Sequence, residues 1–219
     1  MKKIQIIPTR ERIANRLKDS ILNGEMKANS ELIQTEVADM LGVSRIPVRE
    51  AFLILENDGF IHRNKSRSFV VSEFTLDDVY EHYEIRSMLE GNIAFRLALS
   101  KPDTTALKAE LKAIDDNDDA ESFSVHNTNF HEQIWKLVDL KKHEDLVRQL
   151  WNRIPHLLVA ESREHRLKAN EEHYKIVEAI DKGDAHGARE AMQAHILRSM
   201  ADYVARVDHL KAQDKLKSD

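Results

Sequence analysis

Val43-Ser44-Arg45-Ile46-Pro47-Val48-Arg49-Glu50-Ala51-Phe52 reads as the opening of a helix with two opposed faces. Ser44 suits the N-cap position, where a hydroxyl can accept a bond from an orphan backbone N–H, and Pro47 falls in the first turn, where a missing N–H is tolerated. Val48, Ala51, Phe52 and Leu55 recur at helical spacing and are expected to pack inward. Arg45 and Arg49 stand one turn apart, so both guanidiniums project outward near the helix N-terminus. A guanidinium fork there suits guanine edges or phosphates, which makes this helix a candidate for entry into a DNA groove. Taken alone, the pair is more simply a solvated face; its surroundings decide the matter.

Upstream, a first helix is expected from about Thr9 to Asn23, with Ile13, Leu17, Ile21 and Leu22 on one face and Gly24 as its C-terminal cap. A short second helix around Thr35–Leu41 offers Val37, Met40 and Leu41 to the core, and Gly42 supplies the tight turn before Ser44. Helix, short turn, helix is the helix-turn-helix, whose later element enters the major groove. Downstream, Gly59 ends the third helix. The β-prone runs Phe60-Ile61 and Phe69-Val70-Val71 then flank a basic loop, His62 to Ser68, which predicts a hairpin whose tip can reach a minor groove or the backbone. Residues 1–72 are thus expected to form a winged helix-turn-helix, with a linker at 73–75 around Ser72-Glu73-Phe74.

Composition bounds the remainder. The 219 residues are 42% apolar and 32% charged, with only six glycines and four prolines, so a mainly α protein of two units is expected. The absence of cysteine excludes disulfides, thiolate metal sites and a cysteine nucleophile, and points to the cytoplasm. No apolar run approaches the roughly 18 residues of a membrane span, and Met1-Lys2-Lys3 precedes no signal-peptide core, so no membrane partner is expected. The net charge of −5 is unevenly held: +3 over residues 1–72 and −8 beyond, as a DNA-contacting head on an acidic body would show. Of the eleven histidines, only His62 lies in the first part.

The run Leu41 to Gly59, with its Leu-Gly-Val-Ser-Arg-x-Pro-Val-Arg-Glu-Ala core, resembles the recognition motif of the GntR family of bacterial transcription regulators. The resemblance implies that Ser44, Arg45, Pro47 and Arg49 lie at the DNA, with Thr35 at the start of the second helix and Arg67 in the wing as further candidates. Two positions depart from the family pattern. Lys27-Ala28-Asn29-Ser30 stands where Pro-Gly is usual, which alters a turn, and Ser68 stands where a wing glycine is usual, which bears on the wing contact.

Beyond the linker, Thr75-Leu76-Asp77-Asp78 opens a long helix to about Leu99, stopped by Ser100-Lys101-Pro102. Five more helices are expected over about 103–115, 120–139, 143–164, 167–182 and 184–208, giving an all-α bundle of about six helices across 76–210 and a frayed tail over 211–219. Asp115-Asp116-Asn117-Asp118-Asp119 lacks the glycine and glutamate of a calcium loop and reads as a solvated turn. His131 and His173 each have apolar residues at the third, fourth and seventh positions after them, and His195 has them before it. Three histidines from three helices therefore converge on the interior, with Asn127 one turn before His131. His143 passes the same spacing test, so spacing alone does not select ligands and satisfied core histidines remain the plainer reading.

Residues 75–205 also resemble the ligand-sensing domain of one GntR branch, the FadR C-terminal or FCD type, through Arg86-x-x-Leu89-Glu90, Asn127-x-x-Phe130-His131, Glu172-His173 and Ala194-His195. The resemblance implies that Asn127, His131, His173 and His195 hold a divalent metal such as zinc, nickel or manganese. Three neutral imidazoles and an amide leave the metal's charge for a bound anion, so a small carboxylate effector is expected beside it. Arg86 either pairs with that carboxylate or forms an intrahelical pair with Glu90, while Trp135 and Trp151 read as core or pocket wall. The leading expectation is a homodimeric transcriptional regulator, in its usual mode a repressor, on a palindromic double-stranded operator with effector-dependent affinity. The alternatives are a metal-dependent helical-bundle hydrolase or oxygenase, against which no carboxylate is seen placed as general base, and a helical body used only for dimerisation.

Overall fold

A computed structural model describes residues 8–22, 25–73, 75–151 and 157–218. Gly24 as a helix cap, Asn23, Phe74 of the linker and the first three residues lie outside that set. The chain divides into two compact units, Met1–Thr75 and Leu76–Asp219.

The first unit holds α1 (Thr9–Leu22), β1 (Glu31–Leu32), α2 (Gln34–Leu41), α3 (Arg45–Asn57), β2 (Ile61–Arg63) and β3 (Phe69–Val71). The inward stripe of α3 is as expected: Val48, Ala51, Phe52 and Leu55 are buried against Ile13 and Leu17 of α1 and Phe60, Ile61 and Phe69 of the wing. Lys18 of α1 ties Asp58 at the end of α3 with a 2.6 Å ion pair. The hairpin forms with Ile61 opposite Val71, and β1 adds an unforeseen third strand on the other side of β3. Met40, expected inside, is exposed instead; α2 is only eight residues long and buries Val37 and Ala38. Gly42 ends α2 in the left-handed region at φ 64°, which a side chain would resist.

Both departures from the family pattern resolve locally. Asn29 takes φ 64° in the Lys27–Ser30 turn, a conformation asparagine tolerates better than most residues, so it serves where glycine is usual. In the wing the left-handed residue is Arg67, at φ 67°, one position before Ser68; the Asn64 side chain accepts from the Ser68 amide at 3.0 Å and closes the turn.

The second unit is all helical: α4 (Leu76–Ser100), α5 (Thr105–Asp115), α6 (Ala120–Leu137), α7 (Lys141–Trp151), α8 (Leu157–Ala160), α9 (Arg163–Lys182) and α10 (Ala185–Ser218). Seven helices are thus described where about six were expected, because the single helix read over 143–164 is α7 and α8, and α9 already begins at Arg163. Within that span Ser162 caps α9, its side chain accepting from the His165 amide, and residues 152–156 lie outside the described set. The frayed tail is also corrected: α10 continues to Ser218. The acidic connector is used rather than merely solvated. Asp115 accepts from Asn170 and Tyr174, Asp118 from Arg163 and Arg166, and Asp119 caps α6 through the Ser122 amide at 2.7 Å.

The core of this unit is the packing of α4 on α10, where Ile93, Ala94 and Leu97 meet Ala188, Met192 and Ile196 at full burial. Gly91 lets Gln193 approach: a β-carbon there would lie 2.7 Å from Gln193 Cγ. Among the described residues, no helix is long and apolar enough to cross a membrane.

Candidate metal centre and nucleic-acid face

In the helical unit, α6, α9 and α10 each place one histidine on their inner stripe. His131, His173 and His195 are buried, and one ligand nitrogen from each lies within 4.8 Å of the others. His143 does not join them; it is half-buried on α7, with Nε2 3.2 Å from the Asn92 amide nitrogen. Asn127, on α6 one turn before His131, lines the same small cavity as His131, His195, Arg86 and Trp151. The cavity's free space is about 10 Å3, room for a single water or ion.

Two of the rings are oriented by carboxylates that the sequence reading missed. The Nδ1 N–H of His131 donates to Glu90 Oε2 at 2.7 Å, and that of His195 donates to Glu172 Oε2 at 2.9 Å. A carboxylate can only accept, so each contact fixes the proton on Nδ1 and leaves the Nε2 lone pair for the cluster. His131 Nε2 is buried with no partner, and His173 and His195 face each other Nε2 to Nε2 at 3.3 Å. Burial pushes all three imidazoles below histidine's ordinary value, His173 and His195 well below, so they stay neutral and able to ligate.

The carboxylates are held in turn. Glu90 is completely buried and accepts from Arg86 Nε at 2.5 Å and Trp135 Nε1 at 2.9 Å as well as from His131. Burial alone would push its carboxyl up, but the Arg86 guanidinium and the His131 N–H outweigh that and hold it well below the usual carboxylate range. Arg198 clamps Glu172 with Nε 2.8 Å from both oxygens. Arg86 therefore does make the intrahelical pair with Glu90, yet it also lines the cavity, stacked 4.3 Å over the Trp151 ring. Trp151 is pocket wall, and Trp135 is a buried donor to the network. The arrangement supplies neutral nitrogen donors with oriented lone pairs, which suits a borderline divalent metal; His131, His173 and His195 are the residues that could hold it.

In the first unit the candidate DNA residues are exposed on α2, α3 and the wing. Ser44 occupies the N-cap of α3, but its side chain makes no capping bond. Pro47, the third residue of the helix, offers no N–H to such a bond, which leaves only the Ile46 amide as a possible donor. Arg45, Arg49 and Thr35 are exposed, Pro47 is half-buried, and Arg67 is exposed at the wing tip. A groove of about 540 Å3 runs along α3, lined by Arg45, Ile46 and Arg49 together with Gln34 of α2 and Arg63 of β2. Arg63 bonds Glu56 at 3.0 Å and stacks on Phe69; Gln34 had no sequence signal beyond its place at the start of α2.

Residues 9–71 match the family model described as bacterial regulatory proteins, gntR family, and residues 81–198 match that of the FCD domain. The chain is 31% identical to the uncharacterized HTH-type transcriptional regulator YdhC of Bacillus subtilis, over 83% of this chain and 84% of that one. It is 29% identical to the probable D-xylose utilization operon transcriptional repressor of Paenarthrobacter nicotinovorans, over 86% and 87% of the two chains. Among solved structures, E. coli McbR/YncC superposes with a TM-score of 0.68 at 25% identity, covering 91% of this chain and 99% of that one. Both matched domains, and the relatives, point to transcription regulators rather than enzymes. The chain belongs to the GntR family, as a DNA-binding transcription regulator with an FCD domain behind its winged helix-turn-helix.

Proposed function

We propose that this regulator is a homodimeric repressor that grips a palindromic operator and changes its affinity when a small carboxylate metabolite binds beside a divalent metal. The observation that carries the reading is the buried triad of neutral imidazoles, with the orphaned His131 Nε2 at its centre. His131, His173 and His195 would hold the metal with Asn127 beside them, and the bound ion would supply a fixed positive charge that attracts and orients an anion. The protein does not neutralise that charge, because Glu90 is already matched by Arg86 and Glu172 by Arg198. Only the Nε of Arg86 is engaged by Glu90, one of the five N–H donors a guanidinium carries, so the same residue can also receive the guest's carboxylate.

The 10 Å3 cavity gives the coupling a physical basis. A metabolite enters only by displacing wall residues such as Arg86 and Trp151, so guest binding and helix packing are linked. On the DNA side, Arg45 and Arg49 of α3 read or clamp the operator from the major groove, Ser44, Pro47 and Thr35 border the phosphates, and Arg67 carries the wing contact. Repression is the mode named for the relatives at the D-xylose utilization and gluconate operons.

The test is selection of sites from a random duplex library with native and with chelator-treated protein, alongside metal analysis of both. An enriched palindrome, roughly stoichiometric metal and loss of effector response on replacing the three histidines by Gln are expected; no enrichment under either condition would overturn the proposal. Asn127→Asp sharpens the metal half: the added carboxylate should tighten the metal and weaken an anionic guest, and calorimetry showing both affinities unchanged would remove Asn127 from the site.

A further inference from the structure

Ile46 is 72% exposed, the most exposed large apolar side chain among the described residues, and it stands in the first turn of α3 between Arg45 and Arg49. Its direction follows from helix geometry. Setting Arg45 at zero and advancing about 100° per residue, the buried residues Val48, Ala51, Phe52 and Leu55 centre near 290°, and Ile46 falls near 100°. Ile46 therefore points directly away from the core, while Arg45 and Arg49 lie to one side, near 0° and 40°. When a helix lies in the major groove, its outermost generatrix faces the base edges and its flanks face the groove walls. An apolar branched side chain aimed at base edges has one complementary feature in B-DNA, the C5-methyl group of thymine.

We propose that Ile46 is a specificity-determining residue that selects thymine by packing on its C5-methyl group, with Arg45 and Arg49 as the flanking polar contacts. The inference rests on the operator-binding reading above and adds a base preference to it. It explains why an exposed isoleucine is kept where a polar residue would be better solvated: its apolar surface is covered when the helix is seated.

The experiment uses the full-length protein and its selected operator. Each thymine of one half-site is replaced in turn by deoxyuridine, which deletes only the methyl group. The wild type should lose about fourfold in affinity at one position, the scale of a single methyl removed from apolar contact, and Ile46→Ala should bind the thymine and uracil duplexes equally. Arg49→Ala should bind more weakly overall while keeping the thymine-to-uracil ratio, and an unchanged melting temperature for Ile46→Ala shows that the fold is intact. Indifference of the wild type to uracil at every thymine, or discrimination retained by Ile46→Ala, overturns the inference while leaving operator binding standing. Failure to select any operator removes the DNA reading and the inference together.

Discussion

Arg45 and Arg49 stand exposed on α3, whereas in the helical unit Arg86 is buried and Arg198 half-buried, each against a carboxylate. The first pair contributes little to the fold and keeps its charge available, which is what a surface meeting phosphates and bases needs, at the cost of sensitivity to salt. The charge of the second pair is matched within the protein, by Glu90 and Glu172. Removing one member of the buried Arg86–Glu90 pair leaves an uncompensated charge in an apolar setting, whereas neither Arg45 nor Arg49 has such a partner to strand. The contrast teaches that burial and pairing, rather than the count of cations, separate the two pairs.

The sharpest way to break the contrast is Glu90→Ala. It deletes the acceptor shared by Arg86, His131 and Trp135 and should lower the unfolding free energy by about 3–5 kcal/mol in urea titrations. A loss below about 1 kcal/mol would mean that the pocket admits water and that the network is not a dry one. Next in size is Glu172→Gln, which keeps the volume but removes the charge that orients His195 and clamps Arg198. Zinc affinity, read by competition with a chromogenic chelator, should fall about 10- to 100-fold. Unchanged affinity would show that the His195 tautomer is fixed without Glu172.

On the exposed side, Arg49→Ala should cost about 1–3 kcal/mol at the selected operator and little on random duplex if it reads a base. An equal loss on both would identify a phosphate contact. Arg67→Gly is the smallest. Relief of the left-handed backbone is offset by the added freedom of glycine, so stability should rise by no more than about 1 kcal/mol. The salt slope of DNA binding should drop by about one if Arg67 touches a phosphate. An unchanged slope would confine the wing to a structural role.

Much of the first unit was legible because its signals are local: the apolar stripe of α3, the Gly42 turn and the β-prone runs around the wing lie within a few residues of one another. What was missed there was also local, as with Ser44, which takes the N-cap position without making the cap bond. In the bundle the histidines were legible from their apolar neighbours, yet His143 shows that helix periodicity reports a face and not a depth. The carboxylates that orient the rings had no such signal. Glu90 lies 41 residues from His131 and Glu172 lies 23 from His195, and only the packing of α4 on α6 and of α9 on α10 brings them together. The helix read straight through 143–164 differs for another reason: Ser162 caps a new helix at Arg163 by accepting from the His165 amide, a start that an apolar repeat does not report.

The tightness of the cavity among Arg86, Asn127, His131 and Trp151 also has a kinetic meaning. For the proposed guest, larger than a water molecule, the walls would have to part before it could lodge, so the rate of response would level off at the opening rate however much guest is supplied. The apparent affinity is the intrinsic one reduced by the fraction of molecules that are open at a given moment. If the proposed metabolite lodges there, such a receptor would filter time as well as chemistry, leaving brief pulses unanswered and registering a sustained supply.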